Sequence, residues 1–226
     1  MNIVEPAVRL LAHTAIVPDA IEQRMEIQEG STDAETLTVY AGRSCYESWS
    51  RQNEKTREDK DYLRRTLFEQ GHFSILEHAS ATFYITGVSR ALTHELVRHR
   101  HLSYSQLSQR FVDESDANIV IPPAARGSEK LMWEFEDAAA GARHSYQELV
   151  EALLDSGLAR KQAREAARAV LPNMIEAKIV VTGNMRAWHE VIERRTAPDA
   201  DAEFQQVAGM IREQLQQIAP EVFPEP

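Results

Sequence analysis

Cysteine is almost missing from this chain. Cys45 is the single cysteine among 226 residues, so no disulfide can form within the chain. Such a composition is typical of a reducing compartment, and we expect the protein in the cytoplasm. Cys45 is also a poor candidate nucleophile, because its sequence context shows no general base and a lone cysteine more often packs as a small apolar residue.

A long apolar run and an excess of positive charge are also missing. No segment is long enough to cross a membrane and the start has no signal-peptide pattern, so we expect no membrane partner. The 25 lysines and arginines against 35 aspartates and glutamates give a net charge of −10, which argues against broad nucleic-acid binding. The 43% hydrophobic content, without a dividing linker, predicts a single domain over residues 1–226.

The spacing of apolar and capping residues predicts interleaved strands and helices. Residues 79–86 alternate apolar and hydroxyl-bearing side chains, which is the period of a strand with one buried face. Thr32 and Glu35 have the spacing of a capping box, and Ser89 is a candidate N-cap for a helix that runs into Arg98. The other predicted strands are 8–17, 118–121 and 178–182. The other predicted helices are 62–70, 131–153, 160–171, 187–195 and 204–218. The mixture indicates an α/β or α+β protein.

One segment is strongly basic against this acidic background. Residues 98–110 contain three arginines, two histidines, three serines and two glutamines, with no carboxylate. Cations this dense repel one another unless negative charge lies nearby, so we interpret the segment as a site for a phosphate-bearing ligand. The alternative is a solvated basic patch. If the helix continued, Arg98 and Arg100 would point in different directions and serve two ligands.

Several short motifs resemble those of the flavin-dependent thymidylate synthases. They are the Arg98-His99-Arg100 triplet separated by seven residues from Ser108, together with residues 71–74, 77–78 and 182–184. The similarity extends from about residue 41 to about residue 219, and the motifs occur in the family's order. The resemblance implies an α+β fold, with mixed helices and a small mostly antiparallel sheet, known as the thymidylate synthase-complementing-protein fold.

The resemblance also implies an activity and its partners. The expected reaction is reductive methylation of dUMP to dTMP, with 5,10-methylenetetrahydrofolate as carbon donor, FAD as hydride carrier and NADPH as reductant. It needs no protein nucleophile, because the cofactor carries the redox chemistry. The family further implies a homotetramer whose active sites are shared between subunits.

Site residues follow by matching positions to the family. Arg195 is the expected catalytic residue, because an arginine beside the uracil ring stabilises the anion left when the N3 proton is lost. The expected dUMP contacts are Glu95, Leu96, Val97, Arg98, Gln106, Leu107, Ser108, Gln109, Arg110, Arg168 and Arg195. The expected FAD contacts are Ser74, Arg98, His99, Arg100, Gln106, Asn184, Met185, Arg186 and Glu190.

Two positions depart from the family pattern. Glu190, preceded by His189, stands where the family usually presents histidine or asparagine to the flavin, and a carboxylate there is unhelpful unless it is protonated or turned away. Asp199 stands where a histidine often follows the catalytic arginine, so that histidine's function is not assigned to it. Asn184 has an alternative interpretation as a strand-to-helix turn.

Ser108 and five of the histidines also have other interpretations. Ser108 lacks the adjacent base that an activated serine needs, so ligand binding is the better prediction. His72, His78, His94, His99 and His101 do not have the spacing of a metal-binding helix, and we expect no metal. The rival hypotheses for the whole chain are a non-catalytic nucleotide- or RNA-binding module and a family member that binds flavin without turnover.

Overall fold

A four-stranded antiparallel sheet forms the centre of the fold. The computed structural model describes residues 2–50, 52–53 and 55–225. The strands are β1 (Ala7–His13), β2 (Ser80–Ser89), β3 (Leu102–Gln106) and β4 (Glu176–Asn184). Their order in the sheet is β1-β2-β4-β3, and each neighbouring pair is antiparallel. The predicted α+β class and mostly antiparallel sheet are therefore confirmed.

Helices of very different lengths surround the sheet. The α-helices are α1 (Pro18–Glu22), α2 (Asp33–Ser44), α3 (Asp59–Leu63), α4 (Arg90–Leu96), α5 (Glu129–Asp155), α6 (Arg160–Ala167), α7 (Met185–Arg195) and α8 (Ala202–Ile218). A π-helical turn covers Arg64–Glu69, and 3-10 turns cover Phe73–Glu77, Pro123–Ala125 and Arg168–Val170. No helix in the described part of the chain has the length and apolarity needed to span a membrane.

Both predicted helix caps are present. The Thr32 hydroxyl accepts a hydrogen bond from the Glu35 amide at 3.3 Å, and the Glu35 carboxylate accepts one from the Thr32 amide at 3.1 Å. The Ser89 hydroxyl accepts from the Leu92 amide at 3.0 Å and so begins α4. These caps satisfy amide groups that a helix leaves unpaired at its first turn.

Strand β2 alternates as predicted and then bends. Its register against β4 shifts between Ile85 and Val88, and Gly87 has a φ of +65° at this bulge. A Cβ atom on Gly87 would overlap the backbone carbonyl of Glu5. Glycine is therefore required both for the backbone conformation and for the close approach of the two chain segments.

Two strand predictions need correction, and one strand was not predicted. Residues 118–121 do not form a strand, because only Ile119 makes isolated bridges, to Ile3 and Ile175. This apolar run is a buried connection that Pro122 ends, and burial alone does not require ladder pairing. Strand β1 ends at His13 rather than at residue 17. Strand β3 was not predicted at all, since its polar residues were interpreted as part of the basic segment.

Helix α7 is anchored on the sheet beside the site. The Trp188 indole nitrogen donates to the Ala81 carbonyl at 3.1 Å, and its ring meets Phe83 edge-on at 5.0 Å. Val191 and Ile192 of the same helix are also buried in the main core. This packing determines where the end of α7, with Arg195, lies relative to the basic segment.

Candidate active site

The basic segment begins in a turn at the end of α4. The amides of Arg98 and His99 donate at 3.1 Å to the carbonyls of Glu95 and Leu96, so the chain turns before β3 begins. Because the helix ends at Leu96, the expected divergence of Arg98 and Arg100 along a continuous helix does not apply. Both arginines line one cavity of about 570 Å³. The remaining lining residues are Glu95, His99, His101, Leu102, Ala187, Glu190, Arg194 and Arg195.

Arg195 connects the two sides of this cavity. Its Nη1 donates to the Glu95 carboxylate of α4 at 2.5 Å, and its Nε donates to His99 Nε2 at 3.0 Å. A histidine nitrogen that accepts from a guanidinium must be unprotonated. Burial first, and then the charge of Arg195, lowers the pKa of His99 below its usual value, which agrees with this arrangement.

Tyr104 supports the turn that carries the triplet. Its hydroxyl lies 2.7 Å from the carbonyl oxygens of both Leu96 and His99, to which it donates. Burial raises the pKa of Tyr104 to about 12, so the hydroxyl remains a donor. Sequence reasoning missed this residue, because its role depends on the unpredicted strand β3. The sequence signal that could have indicated this strand was the tyrosine between two serines at 103–105.

The second predicted flavin segment borders the same region. Asn184, Arg186 and Glu77 line a cavity of about 280 Å³ that shares His101, Ala187 and Glu190 with the first. Arg186 forms an ion pair with Glu77. The Asn184 side-chain oxygen accepts from the Ala187 amide at 2.8 Å, so the turn interpretation of Asn184 is confirmed. Met185 is fully buried.

Ser74 lies on the 3-10 turn that ends at Glu77. Ser74 and His72 line a further cavity of about 520 Å³, together with Arg65 and Cys45. Three residues of 3-10 helix rise by about 6 Å, so Ser74 lies within a short distance of the Glu77 and Arg186 pair. The cavity that Ser74 lines nevertheless shares no residue with the two cavities beside Arg186 and Arg195.

The remaining predicted dUMP residues lie at the other end of β3. The Gln106 amide nitrogen donates to Thr93 Oγ1 at 3.1 Å, and the Leu107 amide donates to the Lys178 carbonyl at 2.8 Å. Arg110 pairs at 3.6 Å with Glu165 of α6, the helix that leads to Arg168. The 570 Å³ cavity is lined by none of Gln106, Leu107, Ser108, Gln109, Arg110 or Arg168.

The length of β3 sets the distance between the residues that line the 570 Å³ cavity and residues 106–110. Its five residues span about 13 Å at the usual strand rise, with Arg100 before its start and Ser108 after its end. Within one chain the structure therefore brings together Glu95, Arg98 and Arg195, while Arg110 pairs with α6 beyond the other end of β3. Leu96 contributes to neither surface with its side chain, because that side chain is buried in the core.

Glu190 and Asp199 are the two residues that depart from the family pattern. Within the described residues, neither forms a hydrogen bond or an ion pair with Arg195. Glu190 pairs at 3.1 Å with Arg194, one turn further along α7, with both side chains partly exposed. Its charge is therefore balanced on the helix itself, even though Glu190 lines both cavities. Asp199 is exposed in the segment between α7 and α8.

Cys45 is the alternative candidate nucleophile, and metal binding is the alternative role of the histidines. Cys45 is exposed, and its thiol donates to the Ala41 carbonyl at 3.3 Å, away from the cavity that Arg195 lines. Within residues 2–50, 52–53 and 55–225, no three side chains of the metal-binding types come together as a candidate site. Several guanidinium groups and an unprotonated histidine around one cavity are typical of enzymes that bind anionic nucleotides.

Comparison with known proteins agrees with this class. A family model described as thymidylate synthase complementing protein matches residues 26–221. A flavin-dependent thymidylate synthase of Mycobacteroides abscessus is 48% identical over 235 aligned residues, covering 98% of this chain and 90% of that protein. Relatives of the same name from Mycolicibacterium gilvum and Mycobacterium tuberculosis are each 50% identical, over 86% and 85% of this chain and 82% and 81% of their own lengths. The chain belongs to the thymidylate synthase complementing protein family.

Proposed function

We infer that this chain methylates dUMP to dTMP, with 5,10-methylenetetrahydrofolate as the carbon donor and FAD as the redox cofactor. The observation that carries this function is the cavity where the Arg98-His99-Arg100 triplet meets Arg195 and adjoins the Asn184–Arg186 segment. Family membership confirms the expected activity class and the flavin. We further propose NADPH as the reductant, a cytoplasmic location and a single catalytic domain over residues 1–226.

The side chains around the paired cavities suit FAD. Arg98 and Arg100 are exposed, and neither forms an ion pair with a carboxylate in the part of the chain that the structure describes. Two such guanidinium groups match the double negative charge of the FAD diphosphate. When bound, FAD supplies the hydride that the methylation requires. The proposed contacts that line these cavities are Arg98, His99, Arg100, Asn184, Arg186 and Glu190. Ser74 and Gln106 are proposed contacts from outside these cavities, and no contact is proposed for the Met185 side chain, because it is fully buried.

Arg195 is the proposed catalytic residue. Its fixed positive charge stabilises the uracil ring after loss of the N3 proton, while the guanidinium keeps its own protons. Glu95 and His99 hold two of its nitrogens, and within the described residues no group accepts a hydrogen bond from Nη2. Nη2 is therefore the donor left for the pyrimidine. The unprotonated His99 allows this geometry without adding a second charge.

The separation of the dUMP residues supports sites shared between subunits. One dUMP molecule would have to meet Arg195 at one end of β3 and Arg110 beyond its other end. Two chains related by a two-fold axis across this surface would bring the cavity half of each chain against the 106–110 half of the other. We propose that the homotetramer forms each site from the Glu95, Arg98 and Arg195 half of one chain and the 106–110 and Arg168 half of another.

A direct assay tests the function. Purified protein should be yellow from bound flavin, should oxidise NADPH faster when dUMP is present, and should form dTMP when the folate donor is added. Colourless protein that does not take up FAD would contradict the flavin assignment. Flavin binding without dTMP formation would instead support the hypothesis of an inactive family member, which the glutamate at position 190 raised.

A further inference from the structure

The aromatic ring of Phe204 lies directly beneath the Arg195 guanidinium. The Arg195 Cζ atom is 4.7 Å from the ring centroid, within the range of about 6 Å for a cation–π contact. Phe204 belongs to α8 and its side chain is fully buried. None of the sequence motifs includes this residue.

The same ring also contacts His99. The two ring centroids are 6.3 Å apart with an interplanar angle of 78°, which is an edge-to-face arrangement. His99 in turn accepts the hydrogen bond from Arg195 Nε. One aromatic side chain therefore supports both partners of the Arg195–His99 hydrogen bond.

The position of Phe204 is set by the start of α8. Asp201 caps this helix by accepting from the Glu203 and Phe204 amides at 3.0 and 3.2 Å. The buried Glu203 carboxylate accepts from the Ser89 amide at 2.7 Å and from its hydroxyl at 2.6 Å. The backbone beneath the ring is thus attached to the β2–α4 junction, and α4 carries Glu95.

An aromatic ring can hold the Arg195 guanidinium in one orientation better than an aliphatic side chain can. An arginine side chain has many rotamers, so holding one orientation costs conformational entropy. The negative face of an aromatic ring attracts the guanidinium but offers no acceptor in the guanidinium plane. The in-plane donors then remain for Glu95, His99 and the ligand.

We propose that Phe204 is the positioning residue for the catalytic guanidinium, holding Arg195 in line with Glu95 and His99. This inference depends on the proposed role of Arg195 in catalysis. The ring is fully buried beneath Arg195, so it acts through Arg195.

Fluorination of the ring provides a test that preserves its shape. Singly, doubly and triply fluorinated phenylalanine at position 204 progressively weaken the negative ring face with little change in packing. We expect log kcat to fall in step with the number of fluorines, by about tenfold in total, while the melting temperature and flavin affinity stay near those of the unmodified enzyme. The same series at Phe223, a buried ring with no arginine or lysine over it in the described chain, should leave kcat unchanged.

Two substitutions separate this inference from the proposed function. Phe204→Leu should lower kcat at least as much as full fluorination, and Arg195→Ala should lower it further. If Arg195→Ala leaves kcat intact, the proposed role of Arg195 is wrong, and the inference on Phe204 is wrong with it. If Arg195→Ala is impaired but the fluorination series is flat, only the inference on Phe204 is overturned.

Discussion

The neighbours of Arg195 hold its charged guanidinium group in one position. The Glu95 carboxylate offsets the charge, and His99 accepts one donor without becoming charged itself. Such preorganisation costs no rearrangement when negative charge develops on a bound ring. This arrangement supports the proposed role of Arg195 in turnover as well as in dUMP binding.

Replacing Arg195 should separate its contribution to turnover from its contribution to dUMP binding. We expect Arg195→Ala to lower kcat about 100-fold at saturating dUMP, because a preorganised donor to the developing anion is lost. Steady-state dTMP formation measures this effect. Arg160→Ala, at an exposed arginine of α6, is the matched control and should retain full activity. Unchanged turnover of Arg195→Ala would show that Arg195 is not catalytic.

His189 makes stability depend on pH below the neutral range. It lies among the rings of Phe73, Phe68 and Phe223, at centroid distances of 5.0, 6.4 and 6.3 Å. Burial lowers the pKa of His189 below the usual value of about 6.5. The unfolded chain therefore binds this proton more readily. The stability contributed by the neutral ring is complete above about pH 6.5 and is lost as the pH falls through the folded pKa.

His189→Phe should reduce this dependence, because phenylalanine fits the aromatic surroundings and cannot be protonated. Urea unfolding between about pH 7.5 and about pH 5.5 should give a smaller fall in free energy than in the unchanged chain. The difference is bounded by one proton, or about 1.4 kcal/mol per pH unit. Equal pH slopes for both proteins would show that His189 is not the responsible group.

At the level of elements, the junction of β2 with α4 determines where the basic segment begins. Ser89 caps α4 and also donates to the buried Glu203 of α8. The capping role was predictable from the residue type before an apolar helix pattern. Its partner Glu203 was not, because it lies 114 residues away in the sequence.

Ser89→Ala should destabilise the fold by about 2 kcal/mol, since it removes a helix cap and leaves the Glu203 carboxylate without its hydroxyl donor. Chemical denaturation measures the loss. Ser128→Ala is the matched control, because Ser128 caps α5 at 3.4 Å in an exposed position, and it should cost less than 1 kcal/mol. Equal losses in the two variants would contradict the added role of Glu203.

Strand β3 shows the limit of pattern reasoning at this scale. Its sequence Leu-Ser-Tyr-Ser-Gln does alternate, but the serines and the glutamine also fit a phosphate-binding loop. Pairing with β4 decides between the two possibilities, because the backbone of β4 offers a free edge at which these residues can form a ladder. The same pairing separates the two halves of the proposed dUMP site.

At the level of the whole molecule, the proposed shared sites make a specific prediction for mixed assemblies. Arg195→Ala and Arg110→Ala each damage a different half of the site. When the two inactive proteins are dissociated and reassembled together in equal amounts, about a quarter of the sites should combine two intact halves from different chains. Recovery of dTMP formation to about that fraction checks the prediction.

Two controls complete the mixing experiment. Each variant reassembled alone should stay inactive, and Arg195→Ala mixed with Glu95→Ala should recover nothing, because both changes damage the same half. Absence of recovery in the Arg195→Ala and Arg110→Ala mixture, with hybrid oligomers present by native mass spectrometry, would show that each site is formed within one chain.

The sequence by itself determined the chemistry of this protein, since the clustered arginines, the motif order, the caps and the alternating strand depend on residue types and short spacings. Only the tertiary structure decided that Glu95 and His99 hold Arg195, that Phe204 lies beneath it, and that Arg110 lies at the far end of β3. The contacts of Arg195 with Glu95 and His99 join residues 100 and 96 positions apart in the sequence. The position of Arg110 depends on the antiparallel pairing of β3 with β4. Local sequence patterns do not predict these contacts, because the contacts form only when the sheet and α8 pack together.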